Sequence, residues 1–334
     1  MKLENIKKGR VLEVYKILLK YTDEQHKISM QDILSHMEED GYQCSEDSVG
    51  RYIKQLRTEL GVDIISSRGR NARYFIGDRL FEKEEMKLIV DSINASNFIE
   101  KTIARKMIDK LKKTISIYDE AELDRGIFGI NVAKAENRKI LYNLNKIQEA
   151  LSKEVQISFY YMRWDKNKKL VRKSERRYNM NPWALIWSNG RYYLYGYDVK
   201  ETDGLLKERN YRIDKLDDIQ LSDIKRNGKS QFRYFNANTY VSRRMGMFSG
   251  EEQMITVRIP ETLVGAFIDQ FGKRITISDD IDGWILVSFR AVPSTIFLGW
   301  LIGMNNVHVL SPDSVRDKIK ELLKKNICYY EEKN

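Results

Sequence analysis

Arg209, Arg212 and Lys215 follow closely on a run of tyrosines, Tyr192, Tyr193, Tyr195 and Tyr197, in the stretch "GRYYLYGYD". Aromatic faces beside guanidinium and ammonium groups suit one chemistry well: rings stack on nucleobases while the cations pair with phosphates. In a strand, Tyr193, Tyr195 and Tyr197 share one face and Tyr192 and Leu194 the other. One face is expected to be core, and burial alone does not require phenols on both. Arg209 and Arg212 fall on opposite faces of their own strand, so they would serve different roles. The candidate ligand-binding residues are Tyr161, Arg163, Arg177, Tyr192, Tyr193, Arg209, Arg212 and Lys215. The competing reading has the tyrosines packing a small barrel and Arg212 pairing with Asp214 or an acid of a neighbouring strand.

A second constellation lies near the amino terminus. Ser45 can cap "EDSVGRYIKQLRTEL", whose Val49, Ile53, Leu56 and Leu60 form a seam that leaves Asp47, Ser48, Arg51, Lys54, Gln55 and Thr58 outward. Two helices precede it. "RVLEVYKILLKY" sets Val11, Leu12, Tyr15, Leu18 and Leu19 on one stripe; a helix capped by Ser29 lines up Met30, Ile33, Leu34 and Met37 and stops at Gly41. "VDIISSRGRNARYFI" then reads as a hairpin with a basic tip. This is the pattern of a winged helix-turn-helix, with an exposed helix for the major groove and a wing for the backbone. Ser48, Arg51, Tyr52 and Gln55 would face bases with Lys54 beside them, while Arg68, Arg70 and Arg73 would lie along phosphates or in the minor groove. The alternative is a three-helix unit that docks on a partner protein.

From Glu82 to Ser116 the chain reads as helix, with Met86, Ile89, Val90, Ile93, Phe98, Ile103, Met107 and Leu111 recurring at helical spacing and a break expected at Asn94 to Asn97. Another helix is expected from about Lys134 to Leu151 on the stripe Ile140, Leu141, Leu144, Ile147 and Leu151. At Val155 the period changes to two, and five short strands follow, ending in a single strand "ERNYRIDKLDDIQL", which favours a small barrel. The loop between Lys153 and Arg177 carries nine basic against three acidic residues, enough to extend phosphate attraction over several nucleotides. Beyond Ile255 the order strand, helix, strand, strand, helix, strand is that of a ferredoxin-like α+β unit, closed by a helix from Pro312 to Asn326 with the proline at its first position.

The 58 Lys and Arg against 48 Asp and Glu, a formal charge of +10, lean toward polyanionic partners. No apolar run approaches the roughly eighteen residues of a membrane span, and no signal peptide is visible, so a cytoplasmic location is expected. Cys44 and Cys328 are read as reduced thiols. Three scattered histidines predict no metal site, "GKS" at 228 to 230 lacks the upstream glycine of a phosphate loop, and no cofactor or enzymatic role is expected. A magnesium-dependent nuclease built on Asp198, Asp214 and Asp217 is the remaining enzymatic alternative.

The segment "NPWALIWSNGRYYLYGYD" followed by "ERNYRIDKLDDIQL" resembles the WYL domain, with Tyr192, Tyr193 and Leu194 in place of the naming Trp-Tyr-Leu triplet. The tyrosine keeps a stacking surface. Where the family has Arg-x-Asp-Arg, this chain has Arg212, Asp214 and Lys215, so one guanidinium fork becomes an ammonium. The carboxy-terminal segment is similar to the extension that accompanies many WYL domains. The resemblance implies a bacterial transcription regulator, a homodimer on an operator, read first as a repressor, whose WYL domain senses a nucleotide or single-stranded nucleic acid. A nucleic-acid-binding accessory protein without an operator is the alternative. The expected architecture is multidomain α+β: a winged helix-turn-helix at 1–78, a helical connector at 79–152, an SH3/Sm-like β-barrel at 153–224, a linker at 225–250 and a ferredoxin-like domain at 251–334.

Overall fold

The computed structural model describes residues 2–69, 71–123, 139–202 and 204–331. It is a mixed α+β chain of two compact units divided between residues 138 and 139.

The first unit contains α1 (Lys2–Tyr21), β1 (Ile28–Ser29), α2 (Met30–Glu39), α3 (Glu46–Thr58), β2 (Ile64–Ser66) and β3 (Arg73–Ile76). Ser29 opens α2 through a reciprocal capping box with Asp32, and the Ser45 hydroxyl accepts from the Ser48 amide at the start of α3. Each cap satisfies an amide that the first helical turn leaves without a partner. The three strands form one antiparallel sheet in the order β1-β3-β2. Val14, Ile17, Leu18, Ile33, Met37, Val49, Ile53 and Leu56 make the core between helices and sheet. Two expected core positions are corrected: Leu12 is 54% exposed while Val14 and Ile17 of the same helix are buried, and Leu60, past the end of α3, is 65% exposed. Helices α4 (Lys83–Ala95), α5 (Lys101–Lys112) and α6 (Ile117–Leu123) follow, and the interruption between α4 and α5 falls at the expected place. Met107 points outward, and Ala104 takes the buried position of α5.

The second unit opens with α7 (Ile140–Lys153), which packs on the sheet that follows. Its buried Asn143 donates to the Leu216 carbonyl oxygen at 2.8 Å, and Leu141 of the expected stripe faces solvent. The part of the expected helix from 134 to 138 lies outside the described residues. Six strands come next: β4 (Val155–Trp164), β5 (Leu170–Arg172), β6 (Tyr178–Ser188), β7 (Arg191–Thr202), β8 (Leu205–Arg212) and β9 (Leu216–Lys225). They pair as β5-β4-β6-β7-β8, and β9 returns to pair with β4. The basic loop folds back as β5, and the expected last strand is two strands, because the 3-10 turn Ile213–Lys215 buries Ile213 and redirects the chain. Strands β6 and β7 approach so closely at Gly196 that a Cβ there would overlap the Asn181 carbonyl oxygen, which only glycine permits.

A strap with short helices α8 (Lys229–Phe232) and α9 (Ala237–Ser242) and a 3-10 turn Met245–Met247 leads to the last layer. There β10 (Gln253–Pro260), α10 (Val264–Phe271), β11 (Thr276–Asp279), β12 (Trp284–Ala291), α11 (Thr295–Gly303) and β13 (His308–Ser311) form an antiparallel sheet ordered β11-β12-β10-β13. Alternate residues Ile255, Val257, Ile259, Val287 and Phe289 pack under the helices with Phe267, Phe271 and Phe297. The final helix, α12 (Asp313–Glu331), starts one residue after Pro312 and runs five beyond Asn326. The Pro312 carbonyl oxygen accepts from Val315 and Arg316, so the proline sits just outside the helix rather than at its first position.

Candidate functional site

On α3, Arg51 and Lys54 are exposed, and Ser48, Tyr52 and Gln55 are half-buried, Tyr52 with its ring against the core. The Arg51 guanidinium donates to the Ser48 hydroxyl at 3.1 Å, and the Gln55 amide donates to Glu59 at 2.8 Å, so this polar face is held in a fixed arrangement. Arg57 braces the hairpin through the Ile64 carbonyl oxygen at 2.7 Å and the Ser66 hydroxyl at 3.1 Å. Arg68 is exposed near the tip; Arg73 is exposed on β3 and donates to the Lys27 carbonyl oxygen at 3.1 Å. Arg70 lies outside the described residues.

In the second unit the register opposes Tyr193 to Arg212, Tyr195 to Asn210 and Tyr197 to Glu208. Directly opposed residues share a sheet face, so these six side chains form three rungs on one side of β7 and β8. At the first rung, the Arg212 guanidinium makes a two-pronged bond to Asp214 at 3.1 and 2.6 Å. Burial opposes its charge most strongly, but the Asp214 hydrogen bonds and the Asp214 charge together raise its pKa. Burial, then the adjacent Arg212 charge, holds the Lys215 ammonium below its ordinary value; Arg191 and Lys173 act on it in the same sense. Burial raises the Tyr161 phenol, which hydrogen-bonds the Arg212 backbone. Tyr161, Tyr193, Arg212 and Lys215 thus meet in one cationic patch. Arg191 and Lys173 complete it, and the sequence singled out neither for this patch.

The other candidates lie elsewhere. Arg177 ties β9 to β4 by pairing with Asp218 at 2.6 Å and donating to the Ser158 hydroxyl at 3.1 Å. Arg209 is engaged by Asp198 at 2.6 Å, next to a cavity of about 710 Å³ lined by Tyr178, Tyr211, Gln156, Asn179 and Gln220. Arg163 is exposed on the β4–β5 hairpin, and Tyr192 sits edge-on to Trp187 at 4.6 Å.

The tyrosine run is mainly interior. Tyr193 is 8% exposed and Tyr195 and Tyr197 are 1% exposed, while Leu194 is buried on the opposite face. The strap covers the tyrosine face: Phe235 stacks on Tyr195 at 4.3 Å, with Tyr240 edge-on at 4.9 Å. Burial raises the phenols of Tyr193, Tyr195 and Tyr197 and pushes Tyr211 and Tyr240 up to about 12. A phenol whose pKa is higher folded than unfolded favours the fold below its unfolded pKa, and that contribution is lost as pH rises through the folded value. Stability is thus expected to fall steadily from about pH 10 toward pH 12, from the ordinary tyrosine value upward. Urea melts at stepped alkaline pH check this; a midpoint constant across that range would contradict it.

Residues 142–221 match the WYL domain, and residues 251–326 match the WCX domain. The chain carries a WYL domain followed by a WCX domain. The three rungs lie within the WYL segment, and the strap lies between it and the WCX segment. Among solved structures, proteasome accessory factor B/C (PafBC) of Arthrobacter aurescens is 15% identical with a TM-score of 0.30, the match covering 96% of this chain and 49% of that one. This chain spans about half the length of that structure. A crystal structure of a CRISPR Cas-related protein is 12% identical with a TM-score of 0.37, covering 98% of this chain and 86% of that one. No curated protein matches the chain. Among the described residues there is no cluster that could hold a metal ion and no helix long and apolar enough to cross a membrane.

Proposed function

We propose that the protein is a cytoplasmic, sequence-specific DNA-binding transcription regulator, a repressor in the first instance, whose WYL domain takes a nucleotide or single-stranded nucleic-acid effector, and that it is not an enzyme. The observation that carries this reading is the patch of Arg212, Lys215, Arg191 and Lys173 beside Tyr161 in the WYL domain, where Arg212 opposes Tyr193 across β7 and β8 and the Lys173 amide donates to the Tyr161 carbonyl oxygen at 2.8 Å. Guanidinium and ammonium groups at the rim of an aromatic cluster are what phosphate and base require together.

The DNA-binding side rests on the first unit, read as a winged helix-turn-helix with α3 as the reading helix and the β2–β3 hairpin as the wing. The sheet of β4 to β9 is read as an SH3/Sm-like barrel, and the WCX layer as ferredoxin-like. One α3 spans only a few base pairs, so the active form is taken to be a homodimer on an inverted repeat. Light scattering on the free and DNA-bound protein checks this, and a strict monomer in both would contradict it. Arg51→Ala should cost about 1–3 kcal/mol on the specific site, while Arg68→Ala should weaken all DNA about equally. Equal losses for both on specific and random DNA would show that α3 is not the reading helix. A gel shift on the gene's own upstream DNA tests the whole: a complex that resists salt and random competitor is expected. Binding equally to any sequence would point instead to a nucleic-acid-binding accessory protein.

A further inference from the structure

The three rungs of β7 and β8 have different occupants. Arg212 of the first rung is held by Asp214, a carboxylate of the same chain two residues on. Asn210 of the second donates to the Tyr240 hydroxyl at 2.8 Å and to the Met247 carbonyl oxygen at 3.1 Å, both in the strap. Glu208 of the third accepts from the Tyr195 hydroxyl at 3.0 Å and pairs with Arg244 at 3.5 Å. Arg244 is 6% exposed and also pairs with Glu252, at 2.5 Å, just before β10. The Arg243 carbonyl oxygen accepts from Val292 at 2.9 Å, beyond β12. Farther back, the Gln231 amide bonds both the amide and the carbonyl of Leu206 on β8, at 3.3 and 3.0 Å. One strand face therefore runs from the cationic patch to the strap and on into the WCX sheet.

We propose that Asp214 is a displaceable internal stand-in for an effector phosphate on Arg212, and that its displacement is transmitted along β8, through Asn210 and Glu208, to the strap and the WCX domain. This rests on the effector reading given above. A carboxylate and a phosphate oxygen present the same acceptor to a guanidinium fork, so the two compete for Arg212. The pair is local and half-buried, with 29% of the Arg212 side chain and 12% of the Asp214 side chain exposed, so exchange does not require the domain to open. Arg212 shares its strand face with Asn210, so a shift of the first rung reaches a residue whose side-chain amide is bonded to Tyr240 and Met247 of the strap and to Ser249 just after it. An effector acts only through its differential affinity for two states, and Arg212 paired or released supplies the two.

The test uses the full chain, a 5′-phosphorylated hexathymidylate as probe, and amide hydrogen exchange over residues 229–247. Asp214→Asn removes the competing charge. It should bind the probe several-fold more tightly and, without any probe, should show faster exchange in the strap than the wild type. Asn210→Ala should bind the probe within about twofold of wild type yet lose the probe-induced change in strap exchange. Thermal melts run alongside, and Asp214→Ser serves as a second variant if Asp214→Asn folds poorly. Strap exchange unchanged in the probe-free Asp214 variants overturns the proposal even if the probe binds. Faster strap exchange with no probe binding to wild type or variants instead overturns the effector reading and supports the latch. Weaker probe binding by Asp214→Asn shows that the carboxylate organises the site rather than occupying it, and overturns the proposal as well.

Discussion

Tyr195→Ala should lower the stability of the second unit by about 3–5 kcal/mol, the loss typical of a large aromatic removed from a closed core. The ring is 1% exposed and touches Phe235, Tyr240 and Tyr197 at centroid distances of 4.3, 4.9 and 5.6 Å. Its hydroxyl also donates to Glu208 at 3.0 Å, so truncation leaves a half-buried carboxylate without one of its donors. For a unit of this size the melting temperature should drop by roughly 10 °C. Tyr192→Ala, at a half-buried position on the other face, should lose far less. Calorimetry of both variants decides: equal losses would mean that the strap does not seal Tyr195, and a loss under about 1 kcal/mol would mean the face is open.

Arg212→Ala is the second large effect, and it should fall on the effector rather than on the fold. Hydrogen bonds to charged groups contribute about 1.5–3 kcal/mol, so the affinity for the phosphorylated oligothymidylate should drop by about 10- to 100-fold. The cost to stability should stay near 1 kcal/mol, since the Arg212–Asp214 pair is local and partly solvated. Calorimetric titration beside a thermal melt separates the two. Lost stability with unchanged affinity would make Arg212 a structural residue.

Much of the architecture was legible because helical and strand periods are local properties. The caps at Ser29 and Ser45, the alternation of Val155, Ile157 and Phe159, and the strand-helix order after Ile255 all follow from neighbours within a few residues. Leu12 shows the limit of the same signal, since spacing finds an apolar stripe but not its exact angle and the core took Val14 and Ile17, while Leu60 falls outside because α3 ends at Thr58. The contacts that give the tyrosines their role are long-range. Tyr195 meets Phe235 forty positions on, and Arg177 meets Asp218 across two hairpins, and neither partner leaves a mark on the local pattern. The tyrosine-rich strand is thus core from Tyr193 to Tyr197 and borders the cationic patch at Arg191 and Tyr193. Period two in Glu208, Asn210 and Arg212 was the available signal for the rungs, and it required knowing which face of β8 the strap covers.

In the proposed regulator, occupancy of the WYL patch controls DNA binding. This control is tested most directly by fluorescence anisotropy of labelled upstream DNA while the phosphorylated hexathymidylate is titrated in, with wild type and Arg212→Ala compared at one salt concentration. The probe should shift the wild-type DNA affinity at least fivefold, within the range of ordinary allosteric coupling, and leave that of Arg212→Ala unchanged. Identical titration curves for the two proteins would contradict it.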